Sequence, residues 1–244
     1  MKSISKAKFL IPNLFTLGNL LCGYLSIFYG VSGRIDLACR LILVGAFLDF
    51  VDGLVARRFD SQTRFGLEFD SLADLITFGV GPSFVAMYFF YSSNVGNVGA
   101  LFGFIYCSAV AIRLARFNTS DTGLIHFRGL PSPASAIALA SVCYLLFEQN
   151  VPFTLSSVIL ALILIILAFF SVSRLVFLSL KTDLKVSLFQ KFLIAALLAL
   201  VVYLDWWGIL ILSYAYILSG PAIQLGKIPS LRRLVNIFFN RRNF

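Results

Sequence analysis

Four aspartates, Asp49, Asp52, Asp70 and Asp74, stand close together in a chain that is otherwise strongly apolar. Helical geometry places Asp49 and Asp52 on one face of a helix, because they are three residues apart, and it does the same for Asp70 and Asp74, four residues apart. An ionised side chain at bilayer depth costs roughly 2.5 to 3.5 kcal/mol, so clustered carboxylates of like charge need cations. The segment contains no His or Cys, and oxygen ligands alone favour Mg²⁺ or Mn²⁺ over zinc. Four carboxylates suit two such ions, which can neutralise a pyrophosphate and stabilise its leaving group.

Small and basic residues continue the first of these helix faces. Gly53 and Ala56 leave room for a ligand to approach the helix backbone, and Arg57 offers planar donors for a phosphate. Gly and Ala are also common where membrane helices pack, so the small pair taken alone fits either role.

The elements that must position these residues are membrane helices. The chain has 244 residues, of which 59% are hydrophobic and 13% charged, and its mean hydropathy is +0.93. The apolar residues form blocks of about 20, the length that crosses a bilayer. We therefore predict an all-α, polytopic transmembrane bundle that forms one domain over residues 1–244. About eight spans are expected, with six or seven as the alternatives, at 11–30, 36–57, 70–91, 97–116, 131–148, 153–172, 189–204 and 206–221.

Basic residues orient this bundle, because Lys and Arg collect in cytoplasmic loops. Of the 20 Lys and Arg, only Arg34 and Arg40 fall on the opposite side of the predicted topology. The prediction is a multi-pass protein of the inner cell membrane whose termini and active site are cytoplasmic, with residues 1–10 and 222–244 as basic ends. The net charge of +9 is explained by this topology and by attraction to anionic membrane lipid, and nucleic acid is not expected as a partner.

The acidic segment as a whole reads D-x2-D-G-x2-A-R-x8-G-x3-D-x3-D from Asp49 to Asp74. This pattern resembles the signature of the CDP-alcohol phosphotransferase family, and all eight specified positions match. The resemblance implies transfer of a phosphate-linked group from a CDP-alcohol to an alcohol acceptor, with release of CMP. It also implies a six-helix core, here followed by extra C-terminal helices, in a protein that is usually a homodimer.

The resemblance assigns roles to individual residues. Asp49 and Asp70 would bridge two metal ions, Asp52 would complete the first site, and Asp74 would complete the second and act as general base. Gly66 is expected to permit the turn into the third span. Residues that would bind the CDP-diacylglycerol donor are Asn13, Thr16, Gly53, Ala56, Arg57 and Thr63.

The acceptor is suggested by three stretches beyond the signature. The sequences L-I-T-F-G-V-G-P-S after Asp74, R-L-A-R-F-N-T after the fourth span, and F-R-G-L-P-S-P before the fifth resemble the phosphatidylserine synthase branch of the family. That branch implies L-serine as acceptor. Arginine can grip a carboxylate or a phosphate, and neutral side chains can add hydrogen bonds. The candidate acceptor or phosphate contacts are Thr77, Arg113, Arg116, Asn118 and Arg128.

Two alternatives remain open at this point. Glycerol 3-phosphate or an inositol compound would also require arginines, so charge does not choose the acceptor. A cation-coupled or proton-coupled transporter would use intramembrane aspartates as its ion path, and it predicts acidic residues near the bilayer midplane and repeated halves. In this chain the aspartates cluster near one predicted membrane face, and no repeat is visible.

Overall fold

The computed structural model describes residues 2–58, 63–119, 129–175, 177 and 205–225, with the backbone alone for 2–12, 56–58 and 225. These residues are helical almost throughout and contain no strand, which confirms the polytopic helical class. The α-helices are α1 Lys2–Val31, α2 Ile35–Arg58, α3 Arg64–Asp74, α4 Gly81–Ser92, α5 Gly96–Thr119, α6 Ser132–Glu148, α7 Phe153–Val172 and α8 Asp205–Leu225, and a π-helical turn, π1 Leu75–Val80, joins α3 to α4.

Five helical segments of the described part are long and apolar enough to cross a membrane. They belong to α1, to the continuous α3–π1–α4 unit, and to α5, α7 and α8. Helix α6 is apolar but shorter, and α2 is not among the five because it carries Asp36, Arg40, Asp49 and Asp52. The number of eight spans is therefore not confirmed, and the predicted span 189–204 lies outside the described residues.

The third span begins earlier than its hydropathy suggests. Thr63 caps α3, and its hydroxyl accepts a hydrogen bond of 3.0 Å from the Gly66 amide. Gly66 therefore lies in the first helical turn, and the expectation that it forms the turn into this span is wrong. The helix then runs from Arg64 through Asp74 without a break, so both of its aspartates project from regular α-helix.

The π-helical turn directly after Asp74 has an identifiable cause. Pro82 lacks an amide hydrogen, so the Phe78 carbonyl four residues before it loses its helical donor. The Tyr106 hydroxyl from α5 donates to that carbonyl instead, at 2.9 Å. The amide of Gly81 donates to the Ile76 carbonyl five residues back, which is the π-helical spacing. The wider turn resets the face that α4 presents relative to α3.

Helices α1 and α2 form the most extensive helix pair, and both pack against π1. The approach to π1 is close because two glycines face Thr77. A Cβ atom at Gly23 would lie 2.8 Å from the Thr77 Cα, and one at Gly45 would lie 2.6 Å from the Thr77 Cγ2. Small residues let membrane helices approach through their backbones, since lipid offers no hydrophobic drive for helix association. This contact brings α1, α2 and α3 together around the aspartates.

Candidate metal and substrate site

Three of the four predicted carboxylates meet in space. Asp49, Asp70 and Asp74 each offer an oxygen atom, and the three atoms lie within 4.8 Å of one another. Asp49 comes from the second half of α2 and the other two from α3, which the chain reaches after one short connection. Asp74 is buried, while Asp49 and Asp70 are half-buried. Asp70 and Asp74 therefore share one face of α3, as their spacing predicts, and that face meets Asp49 of α2.

The chemistry of this trio fits a hard divalent cation. Asp70 Oδ1 is buried and has no hydrogen-bond partner in the described part of the chain. A buried carboxylate oxygen without a partner is costly, and the nearby charges of Asp49, Asp52 and Asp74 repel one another. A cation held by these oxygens would remove both penalties. Oxygen-only ligation favours a hard ion such as Mg²⁺ or Mn²⁺ over zinc.

Asp52 sits beside the trio and outside it. Its side chain is buried, and its Oδ2 accepts a hydrogen bond of 3.1 Å from the Thr16 hydroxyl on α1. Its charge still acts on the carboxylates of Asp49 and Asp70. The predicted role of Asp52 as a metal ligand stays a prediction.

The predicted donor-binding residues lie in three places. Asn13 on α1 and Thr63 both lie next to Gly66, since a Cβ built there would stand 3.4 Å from Asn13 Oδ1 and 3.1 Å from Thr63 Oγ1. Thr16 lies one turn further along α1, at Asp52. Gly53 follows Asp52 directly and is half-buried. Ala56 and Arg57 belong to the last turns of α2, where the structure describes only the backbone.

One residue of this site escaped the sequence analysis. Asn19 on α1 is fully buried, and its Nδ2 donates to Asp74 Oδ1 at 3.1 Å. A signal was present, because Asn13, Thr16 and Asn19 recur every third residue along an apolar helix. A polar stripe of that kind in a membrane helix indicates a buried functional face.

Arg113 is the predicted acceptor contact whose side chain has a buried donor without a hydrogen-bond partner among the described residues. It is half-buried on α5, its Nη1 donates to the Ser132 hydroxyl at 2.8 Å, and its buried Nε has no hydrogen-bond partner among the described residues. The charges of Asp74 and Asp49 act on this guanidinium. Arg113 therefore has an unused hydrogen-bond donor, and its charge interacts with the carboxylate cluster.

The other predicted acceptor contacts make interhelical bonds. Thr77 is fully buried, and its hydroxyl donates to the Asn19 carbonyl at 2.9 Å. Arg116 is exposed and donates to the Val172 carbonyl at the end of α7, at 2.8 Å. Asn118 is exposed and joins α5 to α3 through Glu68 Oε2, at 3.2 Å. Their roles toward an acceptor stay predictions, and Arg128 lies outside the described residues.

Comparison with known proteins now decides the family. The sequence profile of the CDP-alcohol phosphatidyltransferases matches residues 9–172, which is well over half of the chain. The chain belongs to this family. The match begins in α1 and ends with α7, so it contains every described residue of the candidate site, whereas α8 and the segment before it lie outside.

Several curated relatives in this family share the same region. A CDP-diacylglycerol–serine O-phosphatidyltransferase of Helicobacter pylori is 44% identical over 140 residues, which are 57% of this chain and 58% of that protein. The enzyme of the same name from Bacillus subtilis is 37% identical over 134 residues, or 55% of this chain and 75% of that protein. An archaetidylserine synthase of Methanothermobacter thermautotrophicus is 37% identical over 136 residues, covering 54% and 56%. The chain thus spans little more than half the length of the first and third of these relatives.

Proposed function

We propose that this family member transfers the phosphatidyl group of CDP-diacylglycerol to L-serine, giving phosphatidylserine and CMP. The observation that carries the proposal is the convergence of Asp49, Asp70 and Asp74 from two helices of a CDP-alcohol phosphatidyltransferase. The serine acceptor is supported by the names of the two bacterial relatives, both of which are CDP-diacylglycerol–serine O-phosphatidyltransferases. An ion-coupled transporter has no comparable support.

The same carboxylates would hold two divalent ions, Mg²⁺ or Mn²⁺. Asp49 and Asp70 would bridge them, Asp52 would complete the first site and Asp74 the second. When bound, the ions would supply positive charge to the pyrophosphate of the donor and to the departing CMP. The unpaired Asp70 Oδ1 supports this assignment on the protein side.

The chain's own residues would bind the donor and move the proton. Asn13, Thr16, Gly53, Ala56, Arg57 and Thr63 would bind CDP-diacylglycerol. Asp74 would accept the serine hydroxyl proton while that oxygen bonds to the phosphorus carrying diacylglycerol. The bond from this phosphorus to the oxygen bridging it to CMP would break in the same step. Burial of Asp74 would limit competition from water for the reacting phosphorus.

Arg113 would bind the serine carboxylate beside the carboxylate cluster. Its unpaired Nε would hold the carboxylate of serine while the hydroxyl faces the base. Thr77, Arg116, Asn118 and Arg128 complete the proposed set of acceptor or phosphate contacts. The full enzyme would be a homodimer in the inner membrane. Its active site and both termini would be cytoplasmic, because the distribution of basic residues favours that orientation.

The acceptor assignment is tested with purified protein, CDP-diacylglycerol and Mg²⁺ or Mn²⁺. L-serine should release CMP and yield a lipid product, while glycerol 3-phosphate and inositol compounds should not. Serinol, which has the hydroxyl and ammonium of serine without its carboxylate, should react at least several-fold more slowly in kcat/KM, because an arginine is left unpaired. Consumption of glycerol 3-phosphate without consumption of serine would keep the family and refute the serine assignment.

The role of Arg113 is tested by Arg113→Gln. Loss of a charge-assisted hydrogen bond costs about 1.5 to 3 kcal/mol, so we expect KM for serine to rise by roughly ten-fold to a hundred-fold, with a smaller change for CDP-diacylglycerol. Arg34→Gln is the matched control, because Arg34 is exposed and packs over the Tyr29 ring, 5.4 Å from its centre. Steady-state kinetics with each substrate varied in turn would measure both constants. A rise in KM for CDP-diacylglycerol alone would refute the assignment of Arg113 to serine and would place this arginine at the donor.

A further inference from the structure

Asn19 is tied at two points to the helix unit that carries Asp74. Its side-chain Nδ2 donates to Asp74 Oδ1 at 3.1 Å, and its backbone carbonyl accepts from the Thr77 hydroxyl at 2.9 Å. Asn19 and Thr77 are both fully buried, and Asp74 is nearly so. The two bonds connect α1 to residues 74 and 77, which lie one helical turn apart.

Two glycines make this double contact sterically feasible. Gly23 lies four residues after Asn19, and a Cβ there would stand 2.5 Å from Thr77 Oγ1, in the space that the hydroxyl needs to reach the Asn19 carbonyl. Gly45 on α2 lies opposite the Asn19 amide, and a Cβ there would stand 3.0 Å from Asn19 Oδ1. The space around Asn19 is thus kept clear on both sides.

The Asn19 amide is only half satisfied by the protein. Its Oδ1 is buried and has no hydrogen-bond partner within the described residues. An unpaired buried oxygen destabilises a fold, so packing between helices gives no reason for an asparagine here. The Asn19 side chain makes its one described hydrogen bond through Nδ2, which donates to the Asp74 carboxylate of the proposed metal site.

We propose that Asn19 is a positioning residue for Asp74. Its amide fixes the orientation of the Asp74 carboxylate, so that this carboxylate stays directed toward Asp49 and Asp70 when the site is empty and when it is loaded. The Thr77 hydroxyl holds the Asn19 backbone in register for this contact. The inference rests on the metal site of the proposed function and not on the identity of the acceptor.

The test uses Asn19→Leu in the full-length protein, with Ser26→Ala as control. Leucine branches at the same atom as asparagine and has the same number of side-chain heavy atoms, but it removes the donor. Ser26 is buried on the same helix, and its hydroxyl has no described partner, so its loss removes a buried polar group that does not contact an aspartate. Binding of Mn²⁺ alone is measured by electron paramagnetic resonance of the free ion, together with the thermal midpoint of the metal-free protein.

For Asn19→Leu we expect the dissociation constant for Mn²⁺ to rise by about 10-fold to 100-fold, the usual result when a partner of a metal ligand is removed. A cooperative thermal transition of the metal-free variant would show that it is folded, and Ser26→Ala should leave Mn²⁺ affinity within about two-fold. If the leucine variant does not fold, Asn19→Ala provides the same comparison with a smaller side chain that also lacks a donor.

The outcomes separate this inference from the proposed function. Unchanged Mn²⁺ affinity in a folded Asn19 variant would overturn the positioning role, even if serine is the acceptor. Weakened Mn²⁺ binding would support it, even if the acceptor panel excludes serine. The absence of saturable Mn²⁺ binding by the unmodified protein would also overturn it.

Discussion

Asp70→Asn should reduce turnover by about a thousand-fold or more, because the variant loses an oxygen ligand whose charge both proposed ions would share. Metal stabilisation of a departing phosphate contributes several kcal/mol, and about 4 kcal/mol corresponds to that factor. Asparagine keeps the shape of the side chain. It also removes one of several mutually repelling charges, so the metal-free protein should be at least as stable as before. CMP release measures the loss of turnover, Mn²⁺ titration measures the loss of metal binding, and thermal unfolding measures the stability of the metal-free protein.

The matched control for Asp70→Asn is Asp36→Asn. Asp36 is half-buried in the first turn of α2, about 20 Å along that helix from Asp49. The Asp36→Asn variant should retain both turnover and Mn²⁺ affinity. The Asp49→Asn variant should lose both, as Asp70→Asn does. Near-normal activity and metal dependence in both the Asp49 and Asp70 variants would refute the two-metal assignment.

Gly23→Ala should lower the stability of the protein, although it adds only one methyl group. The added Cβ would lie 2.8 Å from the Thr77 Cα and 2.9 Å from the Thr77 amide nitrogen. Both atoms belong to backbone and cannot rotate away, so α1 and π1 must separate. Overpacking of this kind costs about 1 to 3 kcal/mol, and the separation should also break the contacts of Asn19 with Asp74 and Thr77. We expect a lower thermal midpoint together with weaker Mn²⁺ binding.

Gly103→Ala provides the comparison. It is another buried glycine inside a helix, and its Cβ would meet the nearest side-chain atom at 3.5 Å, an ordinary contact distance. Because alanine favours helix by about 0.5 to 1 kcal/mol over glycine, this variant should be equally or more stable. Thermal unfolding of the two variants in the same detergent makes the comparison. Equal stability would show that the close approach of α1 to π1 is not required.

Local rules were sufficient to predict the helical class and the convergence of Asp49, Asp70 and Asp74. The faces of a helix follow from its 3.6-residue period, and a short connection after α2 leaves few arrangements for α3. The same reasoning failed at Gly66, because the capping hydroxyl of Thr63 extended the helix beyond its apolar block. It also left the number of spans open, since the predicted spans 189–204 and 206–221 are separated by a single residue.

The contacts that complete the site join residues far apart in the chain, and these only the tertiary structure decided. Asn19 meets Asp74 across 55 positions, and Thr16 meets Asp52 across 36. Such pairings depend on how closely α1 approaches its neighbours. Gly23 and Gly45 permit this close approach because they have no Cβ atom. The sequence by itself determined the family, the carboxylates and the period that aligns them, because these properties are local. The orientation of Asp74 and the interhelical bonds of Arg116 and Asn118 depend on packing between helices, and packing depends on the whole bundle at once.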